Sequence, residues 1–167
     1  MKEFNFHAEI WLPRPREEVF RFFAQARNLE AITPDWLRFE VLTPEPIRME
    51  CGALIDYRIQ IHGLPIRWRT EITEWDPPHR FADTQLRGPY TFWHHVHTFE
   101  ELDSGTLCRD QVRYRPRGGA LMNWAFVRRD VAAIFAFRAE SLKRILGDDS
   151  AARPGSPEDR VAQLGKL

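Results

Sequence analysis

Three of the six histidines lie within four positions of the segment TFWHHVHTFEEL, at His94, His95 and His97. Clustered imidazoles bind metal ions, exchange protons near neutral pH, or form hydrogen bonds inside a folded wall. The segment is rich in aromatic and β-branched residues, which favours a β-strand. Side chains of a strand point alternately to opposite faces, so His95 and His97 share one face and His94 lies on the other.

A carboxylate lies in the next β-rich segment, TLCRDQVRYR, where alternation places Asp110 on the more inward-looking face. The turn signal DSG joins this segment to the histidine segment as a hairpin. If the turn centres on Asp103–Gly105, Asp110 lies opposite residue 98 and diagonal to His97. We therefore predict that either His95 or His97 is hydrogen-bonded to Asp110.

The elements that must position these residues begin with a strand over residues 4–12, where FNFHAEIWL alternates. A helix is predicted next, from the proline-containing start of PREEVFRFFAQARN to about Asn28, with a short second helical turn to Ile32. A short strand is predicted around Arg38–Leu42. The chain thus starts as a strand, one or two short helices and a second strand.

Turn signals then break the chain between residues 51 and 115 about every 8–12 residues. The β-rich segments between them are ALIDYRIQI, IRWRTEITEW, RFADTQL, TFWHHVHTFEEL and TLCRDQVRYR. Such spacing predicts an antiparallel meander, and with the earlier strands the sheet has about seven strands.

A single long helix is predicted from Ala120 to Leu146, with Gly147 as its stop signal. A helical wheel places six apolar residues on one broad face: Trp124, Val131, Ile134, Phe135, Leu142 and Ile145. Arg138 falls on the same stripe. A guanidinium there either reaches the edge, makes a structural ion pair, or grips an acidic ligand head group at the mouth of a cavity.

The composition excludes several classes of protein. The chain has 167 residues, 43% of them hydrophobic, and 24 basic residues balance 24 acidic ones. This indicates a folded domain without a basic field for nucleic acid. The two cysteines, Cys51 and Cys108, do not form a disulfide framework. We find no secretory signal and no integral membrane segment, and we expect a cytoplasmic protein.

The order of elements resembles the START/Bet v 1-like (SRPBCC) superfamily, and within it the bacterial polyketide cyclase/dehydrase-like and lipid-transport-like members. The segments that carry the resemblance run from PREEVFRFFAQARNLEAITPDWLRFEVLTP through the histidine segment to SGTLCRDQVRYRPRGGAL and IFAFR. The resemblance implies an α+β helix-grip fold, in which a curved antiparallel sheet wraps around a long C-terminal helix. We expect a single domain over residues 1–147 and a flexible tail over 148–167.

This resemblance also implies that the face of the histidine strand carrying His95 and His97 points inward. A curved sheet under one helix leaves space for a small, mostly apolar ligand. The residues predicted to line that space are Trp68, Asp83, Gln85, Trp93, His95, His97, Phe99, Asp110, Tyr114, Phe135 and Arg138.

Three interpretations of the polar residues in this wall remain open. They could form an internal hydrogen-bond network, or orient the polar end of a ligand. The third is chemistry, in which His95 or His97, backed by Asp110, moves a proton. A metal version would join both histidines to Asp83 or Asp110, but no third ligand stands at a diagnostic spacing. We therefore predict no metal, no cofactor and no assigned catalytic residue.

The leading functional hypothesis is a binding protein for a small hydrophobic or lipid-like molecule, with no nucleic-acid partner. The alternative is a cyclase- or dehydratase-like enzyme that uses a His–Asp pair in the same cavity. A third class is an interaction module that docks a partner on an outer basic strip. That strip would consist of Arg67, Arg69, Arg113 and Arg115. A homodimer is left open.

Overall fold

The computed structural model describes residues 2–147, which form a single antiparallel sheet with helices packed on it. The strands are β1 (Phe4–Leu12), β2 (Glu40–Val41), β3 (Leu54–Ile61), β4 (Leu64–Asp76), β5 (Arg80–Arg87), β6 (Tyr90–Leu102) and β7 (Gly105–Pro116). Their order in space is β1-β7-β6-β5-β4-β3-β2. The histidine strand β6 therefore lies between β5 and β7, and the predicted meander is confirmed.

The helices lie before β2 and after β7. They are α1 (Arg16–Phe23) and α2 (Asn28–Ala31), a 3-10 turn (Asp35–Leu37), α3 (Gly119–Met122), a π-helical turn (Asn123–Val127) and α4 (Arg128–Leu146). The predicted α+β architecture, with short helices after the first strand and a long C-terminal helix, is confirmed.

The first helix ends at Phe23, earlier than the predicted end near Asn28. The side chain of Asn28 explains the early end, because its Nδ2 donates a hydrogen bond to the carbonyl oxygen of Phe22 at 2.8 Å. Carbonyls in the last turn of a helix lack partners within the helix, and this side chain supplies one. The chain turns there, and α2 begins at Asn28.

The prediction that Trp124 and Ile145 lie on the inner face of the C-terminal helix is wrong. Their exposed fractions are 66% and 39%. The π-helical turn is wider than an α-turn and changes the phase of the helix, so Asn123 points inward instead. There its Oδ1 accepts a hydrogen bond from the hydroxyl of Tyr114 at 2.9 Å. In the last turn of α4, Leu146 occupies the buried position.

The β6–β7 hairpin closes through a two-residue turn, Asp103 and Ser104, whose φ angles are 50° and 62°. Two consecutive left-handed residues match the right-handed twist of the paired strands. The prediction centred the turn on three residues and placed Asp110 opposite residue 98, which is wrong by one position. His97 lies directly opposite Asp110, so the two side chains share one face as immediate neighbours.

The inner face of the sheet is the one that carries His95 and His97, which are both buried together with Trp93 and Phe99. Phe99 packs with Phe20 and Phe23 of α1 and Phe81 of β5 in one apolar cluster. Trp93 belongs to a second cluster, closed by α4. The two histidines therefore lie between two aromatic clusters.

The proposed outer basic strip is largely neutralised by neighbouring carboxylates. Arg69 makes two hydrogen bonds to Asp56, both at 2.8 Å. Arg113 donates to Glu3 at 2.8 Å, and the same carboxylate lies 3.5 Å from Arg115. These pairs are typical of a solvated strand face and give no support to a basic docking surface.

In the part of the chain that the structure describes, no helix is long and apolar enough to cross a membrane. Residues 148–167, predicted as a flexible tail, lie outside the described residues. The single domain over residues 1–147 stays a prediction.

Candidate functional site

A cavity of about 170 Å³ lies between the inner face of the sheet, α4 and the segment around α2 and the 3-10 turn. Its wall is mainly apolar, and the polar side chains on it converge on the middle of β5 and β6. The apolar lining includes Phe23, Leu37, Phe39, Met49, Ile55, Tyr57, Ile59, Trp68, Phe81, Tyr90, Trp93, Val131, Ile134 and Phe135. Asp83, His95, His97 and Arg138 supply the charged and titratable groups.

The buried carboxylate of Asp110 lies behind the two histidines. Its Oδ1 accepts a hydrogen bond from Nε2 of His95 at 2.9 Å. Nδ1 of His97 is also 2.9 Å from this oxygen, but its N–H direction misses the oxygen, so this second contact is an electrostatic one. One carboxylate from β7 thus holds both imidazoles of β6.

Asp83 lies on the other side of the histidine pair, opposite His95 in the β5–β6 register. Its Oδ2 accepts a hydrogen bond from Nε2 of His97 at 3.2 Å and lies 3.7 Å from Nδ1 of His95. The hydroxyl of Thr70 on β4 is 3.4 Å from the other oxygen. Asp83 and Asp110 therefore enclose the two rings from opposite directions.

The rings themselves are packed against aromatic neighbours. The centroids of His95 and His97 are 3.8 Å apart. His97 stacks on Phe81 with centroids 4.1 Å apart and 19° between the planes. His95 and Phe135 of α4 meet edge to face, with centroids 5.5 Å apart. Because water has little access here, the charges of the nearby groups act through a medium that screens them weakly.

Burial and neighbouring charges shift the pKa values of these groups in opposite directions. Burial alone would raise the pKa of Asp110, but the Arg138 charge and the two histidines hold that pKa well below its usual value. Burial likewise acts against the ionised form of Asp83, yet His97 and His95 lower its pKa. Burial, with the charge of His97, lowers the pKa of His95 to about 4, although Asp110 acts to raise it. Both carboxylates are thus charged at neutral pH, and His95 is neutral.

Arg138 lies on the buried stripe of α4 with 9% of its surface exposed. Its guanidinium carbon is 5.3 Å from the ring centroid of Phe23 and 5.6 Å from that of Phe135. Within residues 2–147, its Nε and Nη2 have no hydrogen-bond acceptor. A buried N–H without an acceptor is costly, so Arg138 presents unused donors at the cavity wall.

Seven of the eleven residues predicted for the cavity wall line it, namely Trp68, Asp83, Trp93, His95, His97, Phe135 and Arg138. The other four side chains lie outside the lining. Gln85 bonds the backbone of Tyr90, and Tyr114 bonds Asn123. Phe99 packs in the α1 cluster, and Asp110 lies behind the histidines.

Several lining residues were missed from sequence. Ile55, Tyr57 and Ile59 alternate along β3, and this period-2 pattern could have placed them on the inner face. Phe39 and Met49 carry no such signal, because they belong to irregular segments whose position depends on what they pack against. The β3 side of the cavity was therefore predictable, and the loop side was not.

Comparisons with solved structures agree with this architecture. A protein from Chromobacterium violaceum has a TM-score of 0.69 at 16% identity, with 87% of this chain and 98% of that chain covered. Ara h 8.0201 has a TM-score of 0.63 at 15% identity, covering 87% and 98%. Major latex-like protein 151 from Panax ginseng has a TM-score of 0.61 at 8% identity, covering 86% and 97%. At these identities the likeness shows the fold alone.

No curated protein matches the sequence. A family match covers residues 12–137, which spans the chain from the end of β1 to the middle of α4 and includes every charged residue of the candidate site except Arg138. The chain therefore belongs to the polyketide cyclase/dehydrase and lipid transport family.

Proposed function

We propose that this protein binds a small hydrophobic molecule bearing one oxygen acceptor in the cavity between the sheet and α4. The observation that carries the proposal is an apolar cavity of about 170 Å³ whose wall includes buried N–H groups that find no acceptor in the described part of the chain. Membership of a family that includes lipid transport is consistent with it. The same cavity is the place where a helix-grip sheet leaves room for a ligand.

The cavity volume sets the size of the ligand. A dry apolar cavity of roughly 150 Å³ is enough to hold a benzene molecule. The cavity here is about 170 Å³, so it accommodates one aromatic ring or a short branched chain. Trp68, Trp93 and Phe135 supply flat apolar surface around it. Burial of such a ligand is favourable by about 25 cal/mol per Å² of apolar area removed from water.

Two side chains fit the polar end of the ligand. Nε1 of Trp68 and the Nε and Nη2 atoms of Arg138 are buried and have no acceptor among the described residues. A carbonyl or carboxylate oxygen of the ligand would satisfy one of these donors at no further cost in desolvation of the protein. The buried donors of Trp68 and Arg138 therefore favour ligands that carry an oxygen acceptor over pure hydrocarbons.

The binding test uses acetophenone, which has one ring and one carbonyl, and toluene, which has the ring alone. We expect acetophenone to bind the full chain at least tenfold more tightly than toluene. Binding is measured by the fluorescence of the tryptophans or by the indole N–H signals in NMR spectra. Substituting Arg138→Met should reduce this preference, because the guanidinium donors are removed while the apolar volume is largely kept.

A second pair of variants separates the cavity from the rest of the fold. Ala26 lines the cavity, and Ala26→Leu should lower the affinity for both probes by filling the space. Ala136 is exposed on α4, and Ala136→Leu serves as the matched control. The proposal is rejected if Ala26→Leu binds the probes as tightly as Ala136→Leu does, or if the wild type binds neither probe.

Proton transfer is a second candidate function of the same cavity. The observation that favours it is the bond from Nε2 of His95 to Asp110, which leaves Nδ1 on the side of the cavity-lining Asp83. A base held in one tautomer by a carboxylate is the usual arrangement for general acid–base catalysis. The lowered pKa of His95, about 4, makes it a weak base at neutral pH, so binding remains the first proposal. A cyclisation or dehydration activity lost in His95→Gln and kept in His94→Gln would reverse that order.

A further inference from the structure

Three potential metal-ligand atoms converge on one point of the cavity wall. Oδ2 of Asp83 lies 3.2 Å from Nε2 of His97 and 3.7 Å from Nδ1 of His95. One potential metal-ligand atom from each of the three residues lies within 4.8 Å of the other two. Atoms bound to a common metal ion at about 2.0–2.2 Å are themselves about 3.0–3.6 Å apart. The two distances to Asp83 are already close to this range, and the two imidazole nitrogens lie within 4.8 Å of each other, so an ion would draw the rings together.

Asp110 orients the two imidazoles for this role. Its ionised carboxylate can only accept, so Nε2 of His95 donates to Oδ1, and Nδ1 of His97 is equally 2.9 Å from Oδ1 but is not aligned for a hydrogen bond. Nδ1 of His95 therefore presents a lone pair toward Asp83. Nε2 of His97 donates to Asp83 in this structure, and it would bind an ion once its proton moves to Nδ1, beside Asp110. A carboxylate behind the imidazole is the arrangement that fixes the tautomer of metal-binding histidines.

The charges of the cluster also favour the binding of a cation. Asp83 and Asp110 contribute two negative charges, and Arg138 is the cation that acts on both of them from α4. Arg138 supplies one positive charge against these two, and an unpaired charge in a buried site is unfavourable. A metal ion would bind all three potential ligand atoms together.

We propose that Asp83, His95 and His97 bind one divalent transition-metal ion of the zinc class, with Asp110 positioning both imidazoles from behind. Two imidazoles and one carboxylate form a set that suits Zn²⁺, Co²⁺ or Fe²⁺ rather than Ca²⁺ or Mg²⁺. All three ligand residues line the cavity, so the remaining coordination positions face it. An oxygen of the bound molecule could complete the coordination beside Arg138. The sequence offered this set only as one alternative and gave no third ligand at a diagnostic spacing, because the ligands come from two strands.

The test measures metal binding directly on the full chain after removal of metal with a chelator. Titration with Co²⁺ should give visible absorption bands that saturate at one equivalent, and Zn²⁺ should displace Co²⁺. Asp83→Asn keeps the shape of the side chain and removes the charged ligand, so it should weaken binding at least tenfold. Asp110→Asn should weaken it by about 10–100-fold, the usual effect of a lost carboxylate behind a metal-bound histidine.

His94→Gln is the matched control, because this neighbouring histidine points to the other face, where its Nδ1 lies 2.9 Å from the hydroxyl of Thr84. It should bind Co²⁺ as the wild type does, and circular dichroism checks that each variant is folded. The proposal fails if the folded wild type binds less than a tenth of an equivalent, or if Asp83→Asn binds with unchanged affinity. Either result would mean that these carboxylates and imidazoles form only an internal hydrogen-bond network that shares a proton. Binding of acetophenone is measured on metal-free protein, so the two proposals can fail separately.

Discussion

The two faces of β6 present the same residue type in two different environments. On the inner face, His95 and His97 are buried between two carboxylates, and each ring also packs against an aromatic ring. On the outer face, His94 is half-buried and lies 2.9 Å from the hydroxyl of Thr84. The amino acid is the same in each position. What differs is the number of charged partners and the amount of water between them, and this decides what the imidazole can do.

The inner face is also where single changes should be most costly. Its charged groups are removed from water, and their stability depends on every partner being present. The outer face contacts solvent, which replaces a lost partner at little cost. The three predictions below compare these faces, beginning with the largest expected effect.

The largest effect is expected from Asp110→Ala. The change leaves both imidazoles and the Arg138 charge without their shared carboxylate, and the loss of one partner of a buried charged group costs about 3–5 kcal/mol. The measurement is the free energy of unfolding in urea. Asp56→Ala, which breaks the exposed pair with Arg69 on the outer face, is the control and should cost about 1 kcal/mol or less. Equal losses in the two variants would contradict the difference between the faces.

An intermediate effect is expected when the pH of the metal-free protein is lowered. The pKa of His95 is about 4 in the folded protein against 6.5 as its ordinary value, so the unfolded chain takes up a proton first. The free energy of unfolding should therefore fall between pH 6.5 and 4, by up to about 3 kcal/mol for this group. The lowered pKa values of Asp83 and Asp110 act in the same direction, but only below their ordinary value of 3.8.

The comparison of His95→Gln with His94→Gln isolates this contribution. The His95 variant should show a flatter dependence of unfolding free energy on pH between 6.5 and 4, and the His94 variant should follow the wild type. A profile of unchanged slope in His95→Gln would show that the buried histidine does not cause the loss of stability.

The smallest effect is expected from His94→Ala. It removes one partly exposed contact with Thr84, and a typical hydrogen bond contributes about 0.5–1.5 kcal/mol. A thermal unfolding midpoint within a few degrees of the wild type is the expected result, since about 1 kcal/mol shifts it by roughly 2–8 °C. A loss as large as that of Asp110→Ala would mean that the outer face is as tightly coupled as the inner one.

The sheet and its order could be predicted from sequence because alternation and turn residues act locally. The β5, β6 and β7 segments were found within about two residues of their bounds, and Asp110 was placed beside the histidines. The register missed by one position, since Asp103 and Ser104 form a tighter turn than their sequence required. The inward turn of Asn123 could not be predicted, because a π-helical turn has no clear sequence signal.

The sequence by itself determined which side chains share a face: the period of a strand puts His95 with His97, and the period of a helix puts Arg138 on the apolar stripe of α4. Only the tertiary structure decided which of these faces meet. It placed Asp83 and Asp110 on opposite sides of the histidine pair, and it left Nε and Nη2 of Arg138 without an acceptor among residues 2–147. Periodicity is a property of adjacent residues, whereas the partners and the burial of a charge depend on segments that are distant in the chain and become neighbours only on folding.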